Sequence, residues 1–271
     1  MKKVLSFDLD QTLSPAKYYI EDDMAKILIK LLDRYEIAPI SGQRIEEFLE
    51  YIIGPLYKHG VTPRQLTHIH LFPTSGARYY KYDMEKGSCL EKDSWVQVYS
   101  YDLTADQIKR MTDALEQAVR GAGHWVDLAG DKLIEDRQSQ VVYSGLGQKA
   151  AREDKEKWDP DKVKRQDIAN RAKAIAPEFT FLVAGSTSVD ALMPGYDKGF
   201  GMRKLLEYLK VDMEDVLFFG DMTQKGGNDF PVAEMGFDFI TVKNQDETEC
   251  ILKEMLTNPR LSVCRYREIF V

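Results

Sequence analysis

The chain has 271 residues, 44% of them hydrophobic and 30% charged, with a formal net charge of −7. That length exceeds one average domain and is short for three, and the apolar fraction is ample for a packed core, so two compact units are expected. The acidic balance argues against a general nucleic-acid or membrane-surface binder, because both partners are polyanions, while leaving room for a local basic pocket holding one phosphate.

The three cysteines, Cys89, Cys250 and Cys264, are scattered, as suits a reducing compartment better than a disulfide framework. The start turns acidic at Asp8, too early for a secretory leader, and no apolar run approaches the roughly 20 residues that span a bilayer. A cytoplasmic protein is expected. Residues 4–9 read as a buried strand running into turn-forming acids. Met24, Ile27, Leu28, Leu31, Leu32 and Tyr35 then recur at helical spacing, with Asp22 and Asp23 complementing the helix start. Residues 37–40 form a second predicted strand ending at Ser41-Gly42. A helix with Ile45, Phe48, Leu49, Ile52, Ile53 and Leu56 follows, then a strand over 68–72. This alternation predicts an α/β fold with a Rossmann-like, doubly wound parallel sheet.

After Tyr82 the rhythm changes. Strands are predicted over 95–101, 140–144, 179–184 and 188–192, and Thr104-Ala105-Asp106-Gln107 is a capping box opening a helix. Residues 121–130 are turn-rich, and 148–171 read as a charged loop leading to a solvated helix. The α/β rhythm returns with a helix over 202–209, strands over 216–219 and 237–242, and a last helix carrying Ile251, Leu252, Met255 and Leu256. The expected organisation is a core of residues 1–86 and 194–271 interrupted by an inserted α+β unit, 87–193.

Asp8 and Asp10, in Phe7-Asp8-Leu9-Asp10-Gln11-Thr12, fall at the carboxyl end of the first strand, where open parallel sheets place ligands. Two apart on extended chain, they can face one side. Such carboxylates repel unless a cation offsets them, and magnesium suits an all-oxygen site. A solvated acidic turn has the same pattern. Phe218-Phe219-Gly220-Asp221 followed by Gly226-Gly227-Asn228-Asp229 repeats it: a strand, an acid, a tight glycine turn and two more oxygen donors. Together the two clusters make an oxygen-lined cation site. Lys198 sits on a predicted loop before the Met202 helix. Beside acids it can keep a nucleophile ionised and neutralise a phosphoryl group; elsewhere it is a solvated charge. Ser41 offers its hydroxyl and the amides after it to the same oxygens, although Ser41-Gly42 also reads as a helix cap.

In that order, Asp8-x-Asp10-x-Thr12, Ser41, Lys198 and Gly220-Asp221 with Gly227-Asn228-Asp229 resemble the four motifs of the haloacid dehalogenase superfamily. The position of the inserted unit resembles a type IIB (Cof-like) cap. Within that group the likeness is to the eukaryotic-type phosphomannomutases, carried by Phe72-Pro73, Tyr80-Lys81, Ile134-Glu135-Asp136-Arg137, Ser188-Val189-Asp190 and Gly195-Tyr196-Asp197-Lys198. The resemblance implies that Asp8 attacks phosphorus and becomes an aspartyl phosphate while Asp10 acts as acid and base. It implies Mg2+ held by Asp8, the Asp10 backbone carbonyl and Asp221, with Asn228 and Asp229 in support. Thr12 would orient the loop, and Ser41, Gly42 and Lys198 would steady the phosphoryl oxygens. In the cap, Arg137 and position 148 would hold a distal phosphate or the sugar, and Ser188 and Asp190 would meet sugar hydroxyls. Arg137 reads equally as a solvated strand charge.

Three departures stand out. Gln148 replaces an arginine of the mutases, removing a charged fork that grips phosphate, with Lys149 and Arg152 near enough in sequence to compensate. Gln11 replaces a glycine, and Tyr196 a tryptophan. The expected activity is therefore Mg2+-dependent hydrolysis of a sugar phosphate, with phosphomannomutase or phosphohexomutase as the alternative and a non-catalytic phosphosugar-binding protein as the second. The expected partner is a small phosphorylated sugar, and a homodimer is left open. His68 and His70 are read as structural, the Tyr79-Tyr80-Tyr82 cluster as a domain junction or sugar platform, and Arg265-Tyr266-Arg267 as a solvated tail.

Overall fold

Short strands of unbroken apolar residues have two faces to bury, and the computed structural model, which describes residues 2–257, shows both covered. The first half of the chain forms β1 (Val4–Phe7), α1 (Asp22–Leu31), β2 (Glu36–Pro39), α2 (Ile45–Phe48) and, past one π turn (Leu49–Ile53), α3 (Gly54–Lys58). Next come α4 (Pro63–Leu66), β3 (His70–Leu71), β4 (Arg78–Tyr82), β5 (Trp95–Ser100), α5 (Ala105–Gly121), β6 (Ile134–Asp136) and β7 (Val141–Ser144). The second half forms α6 (Arg152–Trp158), α7 (Val163–Ile175), β8 (Thr180–Ala184), β9 (Ser188–Leu192) and α8 (Lys198–Leu209). The chain ends in β10 (Val216–Gly220), α9 (Phe230–Glu234), β11 (Asp238–Thr241) and α10 (Gln245–Thr257).

The central sheet runs β11-β10-β1-β2, all parallel, and single bridges Ile37–Ile69 and Ile40–Phe72 bring the β3 segment alongside β2. Leu5, Phe7, Leu217 and Phe219 bury into one cluster with α1, α3 and α10. Val4, Ala38, Val216 and Phe218 bury into another with Met202 and Leu205 of α8 and Val232 of α9. Alternate side chains thus feed two helical layers, as a doubly wound sheet requires.

Two antiparallel sheets flank this core. One runs β3-β4-β5; the other runs β6-β7-β9-β8 and is covered by α5 and α7 around Met111, Leu115, Ile168 and Ala172. β5, expected in the inserted unit, pairs with β4, and its Trp95 packs near Tyr82 in the first core cluster.

Several expectations change for physical reasons. The second helix is interrupted by a π turn just before Pro55, whose missing N–H cannot continue the α ladder. The charged stretch 148–171 is two helices rather than a loop and a solvated helix, and it hides a buried ion pair. Arg165 Nε lies 2.8 Å from Asp159 Oδ2, both side chains are shut off from solvent, and the guanidinium also bonds the carbonyls of Ala184 and Gly185. Burying such a pair is tolerable only with every polar atom matched. His68 and His70 both bond Glu36, and Tyr79 stacks on Phe72 and bonds His70, which makes them structural. Cys89 and Cys250 are free thiols, while Cys264, Arg265, Tyr266, Arg267 and the Arg152 side chain lie outside the described residues. Among the described residues, no helix is long and apolar enough to cross a membrane.

Replacing Asp159 by alanine leaves Arg165 buried without a counter-charge. The expected loss is about 3–5 kcal/mol of unfolding free energy in urea titrations. A loss under about 1 kcal/mol would mean that the guanidinium is not held as described.

Candidate active site

The sheet register places the site. Phe7 of β1 pairs with Phe219 of β10 and with Pro39 of β2, so Asp8, Asp221 and Ser41 leave the sheet at one level, at its carboxyl edge. The Asp8 amide donates to Phe219 O at 2.9 Å, locking the strand end. Lys198 arrives from another direction. It is the first residue of α8 rather than part of a loop, and its N-cap Asp197 accepts from Phe200 N at 3.0 Å. Its ammonium, 1% exposed, lies 2.6 Å from Asp8 Oδ1 and 2.6 Å from Asp229 Oδ1.

Asp8, Asp221 and Asp229 each bring an oxygen within 4.8 Å of the others. Burial pushes the Asp8 carboxyl well above the usual range; Lys198 opposes this, and Asp229 and Asp221 add to it. Asp221 is pushed up to about 7, by burial first and the Asp229 charge second. Burial works against the Lys198 charge, but Asp229 and Asp8 outweigh it and hold the ammonium above its ordinary range. One ammonium against three carboxylates leaves a deficit of two charges. A hard divalent cation fits that deficit, and the donors are all oxygen. Asn228, which lines the cavity beside Asp8, adds a buried amide oxygen with no hydrogen-bond partner.

The Asp10 carboxylate is not in that acidic group. Its Oδ1 accepts from Lys17 N at 2.6 Å and Gln43 Nε2 at 2.9 Å, which turns it toward the entering chain. Gln11 adopts φ +62°, a left-handed conformation that strains any side-chain-bearing residue. Its departure from glycine therefore costs backbone energy at the turn between Asp10 and Thr12. The Thr12 hydroxyl is buried without a partner, and Ser41 Oγ accepts from Gln43 N at 3.3 Å.

The sheet β6-β7-β9-β8 and its loops pack over these groups. Gly42 O accepts from Arg137 Nη1 at 2.6 Å and Gln140 Nε2 at 2.7 Å, so the Arg137 charge is buried rather than solvated. A Cβ on Gly42 would stand 2.7 Å from Asp190 Oδ2, so any larger residue there would push the Asp190 carboxyl aside. Asp190 is pushed up to about 6 by burial, against the pull of Arg137 and Lys17. Ser188 shares a 3.2 Å hydroxyl contact with Ser144. Gln148 meets Lys17, whose Nζ lies 2.7 Å from Gln148 Oε1 and 3.0 Å from Ser144 Oγ. Burial, then Arg137, brings Lys17 down to about 8.

One cavity is thus lined by Asp8, Asp10, Ser41, Gly42, Arg137, Ser188, Asp190 and Asn228, with Lys17 and Gln43 added. Of the residues proposed to compensate Gln148, Lys149 instead bonds Gly130 O. Sequence reasoning missed Lys17, Gln43 and Lys155, the last of which bonds Gln148 O at 2.7 Å. No spacing marks them: Lys17 follows a turn-rich stretch and Lys155 lies in a charge run.

The elevated Asp221 value makes a testable pH dependence. The folded state holds a proton that the unfolded chain releases near 3.8, so cation-free protein loses stability as pH rises from there to about 7. A divalent cation displaces that proton, so Mg2+ is expected to raise Tm more at pH 7.5 than at pH 5. Equal shifts at both would count against this acid cluster as the binding site.

Comparison with known proteins agrees with this geometry. The eukaryotic phosphomannomutase family profile matches residues 125–258. The chain is 25% identical over 259 residues to a phosphomannomutase of Encephalitozoon cuniculi, covering 91% of each, and 26% identical over 257 residues to one of Saccharomyces cerevisiae, covering 92% of each. Its fold matches the IMP-nucleotidase of Plasmodium falciparum in its IMP-bound, N-terminally truncated form, with TM-score 0.69, 15% identity, and coverage of 94% of this chain and 68% of that one. It also matches a haloacid dehalogenase-like hydrolase from Bacteroides thetaiotaomicron, with TM-score 0.56, 13% identity, and coverage of 94% and 100%. The chain is thus similar along most of its length to the eukaryotic phosphomannomutases, and its fold is that of haloacid dehalogenase-like hydrolases.

Proposed function

We propose that the protein moves a phosphoryl group between positions of a hexose phosphate through an aspartyl phosphate on Asp8, with residues 87–193 in outline serving as its cap. The observation that carries this reading is Lys17, a half-buried cation from the core that meets Gln148 at the place where the mutase resemblance expects an arginine. With Arg137 and Lys155 nearby, the cavity keeps positive charge away from Asp8, where a second phosphate can sit.

When bound, magnesium would supply charge neutralisation at the phosphoryl oxygens, held by Asp8, Asp221 and Asp229 with Asn228 in reach. Asp8 attacks phosphorus as the bond to the sugar oxygen breaks, and Asp10 gives that oxygen a proton. The second hydroxyl returns its proton to Asp10 and takes the phosphoryl group from Asp8. Lys198 favours the ionised form of Asp8 against burial and the neighbouring acids, while Ser41 and the Gly42 amide face the phosphoryl oxygens. Asp190 and Ser188 offer acceptors and donors to the sugar. The cavity has about 20 Å³ of free space, room for about one water, so the residues over it must move apart to admit a sugar.

Hydrolysis is the second reading, favoured by the missing charge at Gln148. The filled positions of Asp8, Asp10 and Lys198 speak against a non-catalytic phosphosugar binder.

With Mg2+ and a hexose bisphosphate activator, interconversion of hexose 1- and 6-phosphates with little phosphate release is expected. Phosphate release matching turnover would instead establish hydrolysis. Asp8→Asn is expected to lower the rate by at least about 10⁴-fold. Lys17→Met is expected to lower kcat/KM about 10- to 100-fold, the scale of one lost hydrogen bond to a charged group. An unchanged bisphosphate dependence in Lys17→Met would remove the main support for the transfer reading.

A further inference from the structure

We infer that Met222 is a positioning residue that latches the closed cap to the acid loop, so that cap closure and cation binding at Asp8, Asp221 and Asp229 reinforce each other. Met222 follows Asp221, and its main chain belongs wholly to the acid loop. Its amide donates to Asp229 Oδ2 at 3.0 Å, and its carbonyl accepts from Asp229 N at 3.2 Å. Its side chain belongs elsewhere. It is 2% exposed and packs in the cluster that fills the inserted unit, whose other buried members all lie between residues 103 and 191.

A second contact runs beside it. Val183, at the end of β8, makes a parallel backbone bridge with Gly227 of the same acid loop. A Cβ on Gly227 would run into the Met222 carbonyl, so the loop can fold back against Met222 only with glycine there. Two residues of one loop, five apart, are thus engaged by the cap, and Asp221 and Asp229 flank them.

Opening the cap has to withdraw Met222 from its apolar surroundings and break the Val183–Gly227 bridge. Both pull on a main chain that Asp229 holds through two hydrogen bonds. A cation that fixes Asp221 and Asp229 therefore favours the closed cap, and by linkage the closed cap favours the cation by the same factor. The consequence for catalysis, a phosphoenzyme shielded from water while the sugar turns, rests on the phosphotransfer reading. The coupling itself does not.

The test compares Met222→Gln, which removes the apolar contact, with Met222→Leu, which keeps it. Amide exchange across 180–190 and 222–229 is followed with Mg2+ and with EDTA, and Mn2+ affinity is measured by electron paramagnetic resonance. Wild type is expected to show Mg2+-dependent slowing of exchange at 180–190 of about fivefold or more. Met222→Gln loses that slowing and binds Mn2+ about 5- to 10-fold more weakly, at the lower end of ordinary coupling factors, whereas Met222→Leu keeps both. If Met222→Gln does not fold by circular dichroism, Met222→Ala carries the same comparison. The inference is overturned if wild type shows no Mg2+-dependent protection in the cap, or if the polar and apolar variants bind Mn2+ alike. Coupling as expected in a protein that transfers no phosphoryl group would leave the latch standing and remove the functional reading instead.

Discussion

Three carboxylates, Asp8, Asp221 and Asp229, stand within 4.8 Å of one another, and a single buried ammonium, Lys198, bridges two of them. At that separation, with an effective dielectric near 20, each pair of ionised acids repels by about 3–4 kcal/mol. No local sequence preference holds such a cluster together. The parallel register of β1 with β10 fixes two of its members, the Asp229 hydrogen bonds to the Met222 main chain fix the third, and α8 drives Lys198 between them. What remains is an unbalanced double negative charge in a partly dry site. The same imbalance that weakens the cation-free protein supplies the affinity for a divalent ion.

The inserted unit adds a second constraint. Gly42, Lys17 and the acid loop each touch residues between 137 and 188, so the cavity is assembled from segments far apart in the chain. The cations Arg137 and Lys155 are buried and Lys17 is half-buried beside them; burial lowers both lysines, and Asp10 pulls against it at each. The charge here comes from Lys17 alone, since Gln148, whose carboxamide oxygen accepts from it, carries none. A lysine is a compact point charge rather than a planar fork, so the geometry it imposes on a phosphate is looser.

Much of the core was legible because burial leaves a periodic trace. The strands ending at Phe7 and Phe219 read as apolar runs, and the acids after them stood out for that reason. The Thr104 capping box opened its helix as expected, with Gln107 N bonded to Thr104 Oγ1. The inserted unit was less readable where charge was buried: Asp159 and Arg165 look like two more members of a solvated run, because their pairing is visible only once α7 meets the β8–β9 turn. Lys198 was recognised by its neighbours and yet misplaced on a loop, since the Asp197 cap extends the helix farther back than the apolar pattern does. Strands β4 and β6 were missed: β6 has 3 residues, and β4 carries no apolar alternation because all of it but Lys81 is buried.

The sequence by itself determined which chemistry is possible: acids at two strand ends, a lysine, a serine and a fold in which such ends share one edge. These follow from local order and strand periodicity, which the chain carries in every short window. Only the tertiary structure decided which charges face one another. It turned Asp10 away from the acidic trio, set Lys17 against Gln148 and buried Met222 in the opposite unit. Those pairings join residues as much as 131 positions apart, and they depend on the twist and register that bring distant segments together.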